Sequence, residues 1–242
     1  MKLHIFENKE MLSDNLAQWI CDLIANTLKN QEFFSLVLSG GETPKLLYQK
    51  LASEKYKSQI NWHRINIFWG DERVVPYDDD RNNARMAFEI LLDQTDIPAI
   101  QVHKMRTDIE TNFAVEEYNK LLHNFFGNTP STFDLVLLGM GDDGHTLSLF
   151  PGSALIDENV HWVNSVYNEK QEMYRITLMP LIVNKSVNIA FMVDGPKKAK
   201  VLQQVLEGAY VPEKLPSQLI QPIAGELHWF LDEDAAKNLK SH

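Results

Sequence analysis

The chain has 242 residues, 44% hydrophobic and 23% charged, a make-up that excludes disordered, collagen-like and coiled-coil classes and fits a folded globular protein. With 23 basic and 33 acidic side chains the formal charge is −10, so nucleic acid and anionic membrane are not expected partners, whereas a small anion remains acceptable where a few cations and N–H groups converge. One cysteine, Cys21, can form no disulfide within the chain, and residues 1–7 turn acidic before any apolar run develops; the expectation is a cytoplasmic protein that is neither secreted nor membrane-inserted.

Taken in chain order, Leu12, Leu16, Trp19, Ile20, Leu23, Ile24 and Leu28 recur on one face of a helix. Residues 33–38 form a nearly continuous apolar run stopped by Ser39-Gly40-Gly41, the pattern of a strand buried on both faces, and a helix opens at Pro44. A second strand, 65–69, ends at Gly70-Asp71-Glu72-Arg73, and beyond the acidic Asp78-Asp79-Asp80 a helix carries Met86, Phe88, Ile90 and Leu91. A helix is expected over 108–126, and a strand over 133–138 that stops at Gly139-Met140-Gly141-Asp142-Asp143-Gly144-His145. Strands follow at 174–178 and 187–193, then a helix over 196–206, an irregular stretch over 212–222 and a last strand over 227–231. Strands alternating with helices imply an α/β fold, a mostly parallel open sheet of Rossmann-like type with helices on both faces, and nothing divides residues 1–242 into more than one domain.

In such sheets ligands bind beyond the carboxyl ends of the strands. Four loops fall there: Ser39 to Pro44, Gly70 to Arg73, Gly139 to His145, and Asp194-Gly195-Pro196-Lys197-Lys198. The first reads as an anion cradle or as a tight strand-to-helix turn. Two glycines permit close backbone approach, Ser39 and Thr43 carry hydroxyls, and the helix at Pro44 presents its positive end. The third contains G-x-G-x-x-G, yet Asp142 and Asp143 inside it would repel a pyrophosphate, and no acidic residue follows at the spacing a ribose needs. His145 beside those carboxylates is better read as a general acid or base, with a structural histidine as the alternative. Arg73 alone has the alternative of pairing with Asp71. The other histidines show no ligand spacing to one another, so no metal is expected. Ser148 lies outside any G-x-S-x-G elbow, which argues against a serine nucleophile.

Together these residues resemble the 6-phosphogluconolactonase family, part of the superfamily that includes glucosamine-6-phosphate deaminase. The stretch from Gly139 to Gly152 matches the pattern G-x-G-x-D-G-H-T-x-S-L-F-P-G, and Ser39-Gly40-Gly41-x-Thr43-Pro44, Asp71-Glu72-Arg73, Arg175-Ile176-Thr177-Leu178 and Gly195-Pro196-Lys197-Lys198-Ala199 match four further signatures in order. The resemblance implies cofactor-free hydrolysis of 6-phospho-D-glucono-1,5-lactone in the oxidative pentose phosphate pathway. It makes His145 the base that activates water, oriented by Asp143, and Arg73 the cation at the lactone carbonyl or ring oxygen. Ser39, Gly40, Gly41, Thr43, Arg175 and Lys198 would hold the phosphate. Many members carry serine where Arg81 stands, before the asparagine matched by Asn82, which leaves that loop unassigned. Two other readings exist. An amino-sugar-phosphate deaminase or isomerase would show D-G-H-I-A-F-N-E-P after the glycine loop, and a sugar-phosphate sensor would need a DNA-binding segment in the roughly thirty residues ahead of the first expected core strand. No protein partner is indicated.

Overall fold

In the computed structural model, which describes residues 1–240, the apolar runs stack into a seven-stranded sheet that is parallel throughout. Its strands are β1 (Lys2–Phe6), β2 (Phe34–Leu38), β3 (Ile65–Trp69), β5 (Val102–His103), β6 (Leu135–Gly139), β9 (Asn188–Val193) and β10 (Glu226–Asp232). Their order is β1-β10-β9-β6-β2-β3-β5. Parallel strands need crossovers, and helices supply most of them.

Alternate residues along each strand feed two separate cores, because successive side chains point to opposite faces. Leu36, Leu38, Ile67, Trp69, Leu135 and Leu137 pack with α1 (Lys9–Thr27), α2 (Thr43–Ala52), α3 (Glu54–Lys57) and α4 (Asn83–Ile90) on one side. Val37, Phe68, Val136, Leu138, Ile189 and Phe191 pack with α5 (Thr111–Phe126), α6 (Pro180–Val183), α7 (Ala199–Glu207) and α8 (Glu233–Ala236) on the other. Burial on both faces explains why these strands read as unbroken apolar runs.

Three differences from expectation matter. The sheet begins at Lys2, not near residue 33: β1 pairs with β10 along Lys2↔His228 to Phe6↔Asp232. Its short, mixed sequence, with His4 inward, carries no strong strand signal. The run at 174–178 is not in the main sheet. It lies in β8 (Met173–Leu178), the centre of a separate antiparallel sheet between β4 (Asp71–Arg73) and β7 (Val163–Asn168). Finally, the helix expected over 196–206 starts as a 3-10 turn, Pro196–Lys198, before α7.

Sequence order runs outward from β2 through β3 to β5 on one side, and from β6 through β9 to β10 on the other. The direction of winding therefore reverses between β2 and β6, and the loops that follow those two strands splay apart to leave a crevice.

Candidate active site

The glycine loop after β6 is closed by its own hydrogen bonds. The Gly141 N–H donates to the His145 carbonyl over 2.9 Å, and the Thr146 hydroxyl donates to the Gly139 carbonyl over 2.8 Å. Gly144 sits at φ +82°, and a Cβ on Gly141 would stand 2.2 Å from the His145 ring, so glycine is required at both places. No helix follows His145; Thr146 bridges to Leu149 instead. His145 Nδ1 lies 2.5 Å from Asp143 Oδ1, and the same oxygen accepts the His145 backbone N–H at 3.1 Å. A carboxylate only accepts, so the Nδ1 hydrogen points at Asp143 and the Nε2 lone pair is left for a proton. The hydrogen bond from His145 holds the Asp143 carboxyl at about 2.

The small antiparallel sheet places the cations. Arg73 and Arg175 are directly opposed across β4 and β8, and strand alternation puts Asp71 on the same face as both. Asp71 Oδ2 accepts from Arg175 Nη2 at 2.8 Å and from the Ser148 hydroxyl at 2.6 Å. Burial alone would raise the Asp71 carboxyl, but Arg175, Arg73 and Ser148 outweigh it and hold it below the usual range. Asp71 is thereby a fixed counter-charge. Arg175 is 4% exposed, gives Nη1 to Gln171 at 2.7 Å, and its buried Nε has no partner among the described residues. Arg73 does not pair its side chain with Asp71; Nη1 donates to the Asn83 side-chain oxygen and, over 2.9 Å, to the Arg81 carbonyl.

On the β2 side, Gly41 takes φ +95° and turns the chain into α2, whose opening N–H groups have no side-chain cap. Uncapped helix starts attract anions. Tyr48 braces the loop, accepting from the Ser39 N–H at 2.9 Å and donating to the Ser39 carbonyl at 2.7 Å. The Thr43 hydroxyl donates to Asp194 at 2.6 Å, and Lys198 Nζ lies 3.4 Å from Thr43 Oγ1 and 3.8 Å from Asp194. Thr43 therefore offers lone pairs to Lys198 rather than a free hydrogen to the cleft.

Ser39, Gly40, Gly41, Thr43, Arg73, His145, Arg175 and Lys198 all line one cleft with about 600 Å³ of space open to solvent. Asp143 stands behind His145 and is not part of the wall. Asp71 joins the wall, and the loop from Gly70 to Arg73 that carries it is legible in the sequence. Asn83, to which no sequence signal points, stands just outside that wall and contacts Arg73. Asn82, the residue matched to the family's asparagine, instead caps α4 by accepting the Arg85 N–H. Arg81 does not line the cleft and pairs with Asp79. Among the described residues no three His, Cys, Asp or Glu side chains gather as metal ligands would, and no helix is long and apolar enough to cross a membrane.

Residues 7–229 match the family model described as glucosamine-6-phosphate isomerases/6-phosphogluconolactonase. A 6-phosphogluconolactonase of Synechocystis is 35% identical over 99% of this chain and 98% of its own, and one of Nostoc is 39% identical over 88% and 87%. The solved 6-phosphogluconolactonase of Trypanosoma brucei superposes with a TM-score of 0.86 at 28% identity, covering 98% of each chain. With the fold, the converging loops and these likenesses in agreement, the chain belongs to the glucosamine-6-phosphate isomerase/6-phosphogluconolactonase family.

Proposed function

We propose that the protein hydrolyses 6-phospho-D-glucono-1,5-lactone to 6-phospho-D-gluconate. The observation that carries this reading is a single cleft holding a carboxylate-oriented imidazole, His145, together with Arg73, Arg175, Lys198 and a double-glycine loop. His145 Nε2 takes a proton from water as the oxygen attacks the lactone carbonyl. Charge on that carbonyl oxygen is met by Arg73. Collapse breaks the bond to the ring oxygen, which receives the proton from His145, and the product leaves as a carboxylate with one proton released to solvent. Asp143 stabilises the imidazolium that forms in between. The phosphate sits among Ser39, Gly40, Gly41, the opening turn of α2, Arg175 and Lys198, and its charge is balanced there despite an acidic chain.

A δ-lactone is an activated ester, so positioning, a base and an oxyanion partner suffice and no covalent nucleophile is required. Ser148, a hydroxyl of the same motif, is fully buried and committed to Asp71. Asp71 is equally unsuited to carbon-proton abstraction, because Arg175 and Ser148 occupy its Oδ2 and keep it acidified. Buried Cys21 suits a reducing, cytoplasmic setting. The test is to generate the lactone in situ and follow loss of the ester signal: the enzyme should outpace spontaneous hydrolysis and release no ammonia from glucosamine 6-phosphate. Ammonia release without lactone hydrolysis would reverse the assignment.

A further inference from the structure

Strand alternation turns Glu72 away from the cleft face that Asp71 and Arg73 share. It is 1% exposed and has no cation partner among the described residues; its carboxylate accepts three backbone N–H groups instead. One oxygen takes the N–H of Arg73 at 2.8 Å and that of Asn83 at 2.7 Å, and the other takes Ala84 at 2.7 Å. A single carboxylate oxygen thus pins two backbones ten residues apart side by side, across the acidic loop that separates them. It also satisfies the first two N–H groups of α4, and Asn82 takes the third.

Asn83, also 1% exposed, then reaches two of the loops that make the cleft. Its side-chain oxygen accepts from Arg73 Nη1, and its Nδ2 donates to the Asp71 carbonyl at 2.9 Å. The amide also lies over Gly40, where a Cβ would stand 1.9 Å from its oxygen. An acceptor facing one way and a donor facing the other is what a primary amide offers; a carboxylate of the same size would lose the donor and face Asp71. With Nη1 held by Asn83 and the Arg81 carbonyl, Nε and Nη2 of Arg73 have no protein acceptor among the described residues.

We propose that Asn83 is a positioning residue for Arg73: its side-chain oxygen fixes the guanidinium in the cleft, and Glu72 holds the two backbones in the register that makes this possible. The proposal rests on the reading of Arg73 as the cation at the lactone carbonyl. Asn83 touches no reacting atom, so its effect must pass through Arg73.

A double-mutant cycle tests this directly. Asn83→Ala should lower kcat by roughly 10–100-fold with KM changed by less than about threefold, as expected when an interaction made in the transition state is lost. In an Arg73→Ala background the same substitution should change kcat by less than about twofold. Equal losses in the two backgrounds would overturn the proposal. A second readout needs no activity: in arginine-selective ¹⁵N spectra, Asn83→Ala should exchange-broaden or shift the Arg73 Nε–H signal, and an unchanged signal would also overturn it. If the alanine variant does not fold, Asn83→Asp keeps an acceptor at the same reach. Its Arg73 Nε–H signal should stay sharp, and loss of that signal in the folded aspartate variant would count against the proposal. A wild type that leaves the lactone intact defeats the functional reading alone, because the spectral arm still decides whether Asn83 restrains Arg73.

Discussion

Asp143 and His145 share one oxygen at 2.5 Å and 3.1 Å, so their chemistry is coupled to stability as well as turnover. The Asp143 carboxyl is depressed from 3.8 to about 2 by its bond to His145. A depressed carboxyl stabilises the fold above its unfolded value, and that contribution is lost as pH falls through the folded one. Thermal unfolding of wild type and Asp143→Asn should therefore show a gap that is constant above about pH 4 and shrinks toward pH 2; a gap independent of pH would remove the coupling. The proposed phosphate contacts give a second expectation at this scale. Arg175→Ala and Lys198→Ala should each cost about one to two decades in kcat/KM for the phosphorylated lactone, the usual worth of a charge-assisted bond, and much less for unphosphorylated gluconolactone. An identical ratio between the two lactones in wild type and both variants would show that neither residue reads the phosphate. His145 and its carboxylate were legible in the sequence because three consecutive positions carry them. The Arg175–Asp71 pair was not, since the residues are 104 positions apart and meet only through strand pairing.

The same limit governs the elements. β2, β3, β6 and β9 are legible because burial on both faces leaves unbroken apolar runs, whereas the two-residue, half-buried edge strand β5 leaves no such run. β8 has a comparable run, Ile176-Thr177-Leu178, and nothing in that pattern says which sheet it joins or in which direction. β1 is hidden for a different reason: its His4 sits against His228, with Nε2 and Nδ1 3.1 Å apart, and stacks on Phe230, while Trp19 packs against His228. Burial lowers both imidazoles below their ordinary value. Lys2 adds to that at His4, and at His228 the charge of His4 adds while Glu226 opposes. Depressed imidazoles leave the unfolded chain holding more protons, so stability rises with pH across the window just below 6.5. Acidification from pH 7 to 5 should speed hydrogen exchange in β1 more than in β2 or β6, and His228→Phe should flatten that response. Uniform exchange across the three strands would show that the pair does not govern β1 docking.

At the scale of the molecule, the fold explains how a chain of charge −10 presents a cationic cleft. The parallel sheet delivers Ser39, His145 and Lys198 from the ends of β2, β6 and β9, and the small antiparallel sheet adds Arg73 and Arg175 across one ladder. Convergence of four loops was legible from the rule that ligands gather beyond strand carboxyl ends. The second sheet that supplies two of the three cations was not. The central claim is that His145 activates the water that opens the lactone, and steady-state hydrolysis of 6-phosphogluconolactone by His145→Ala addresses it most directly. A folded His145→Ala enzyme, with circular dichroism and melting close to wild type, should lose about 10²–10⁴ in kcat, the usual contribution of a positioned acid or base. Full activity in that folded variant would place the base elsewhere and contradict the account.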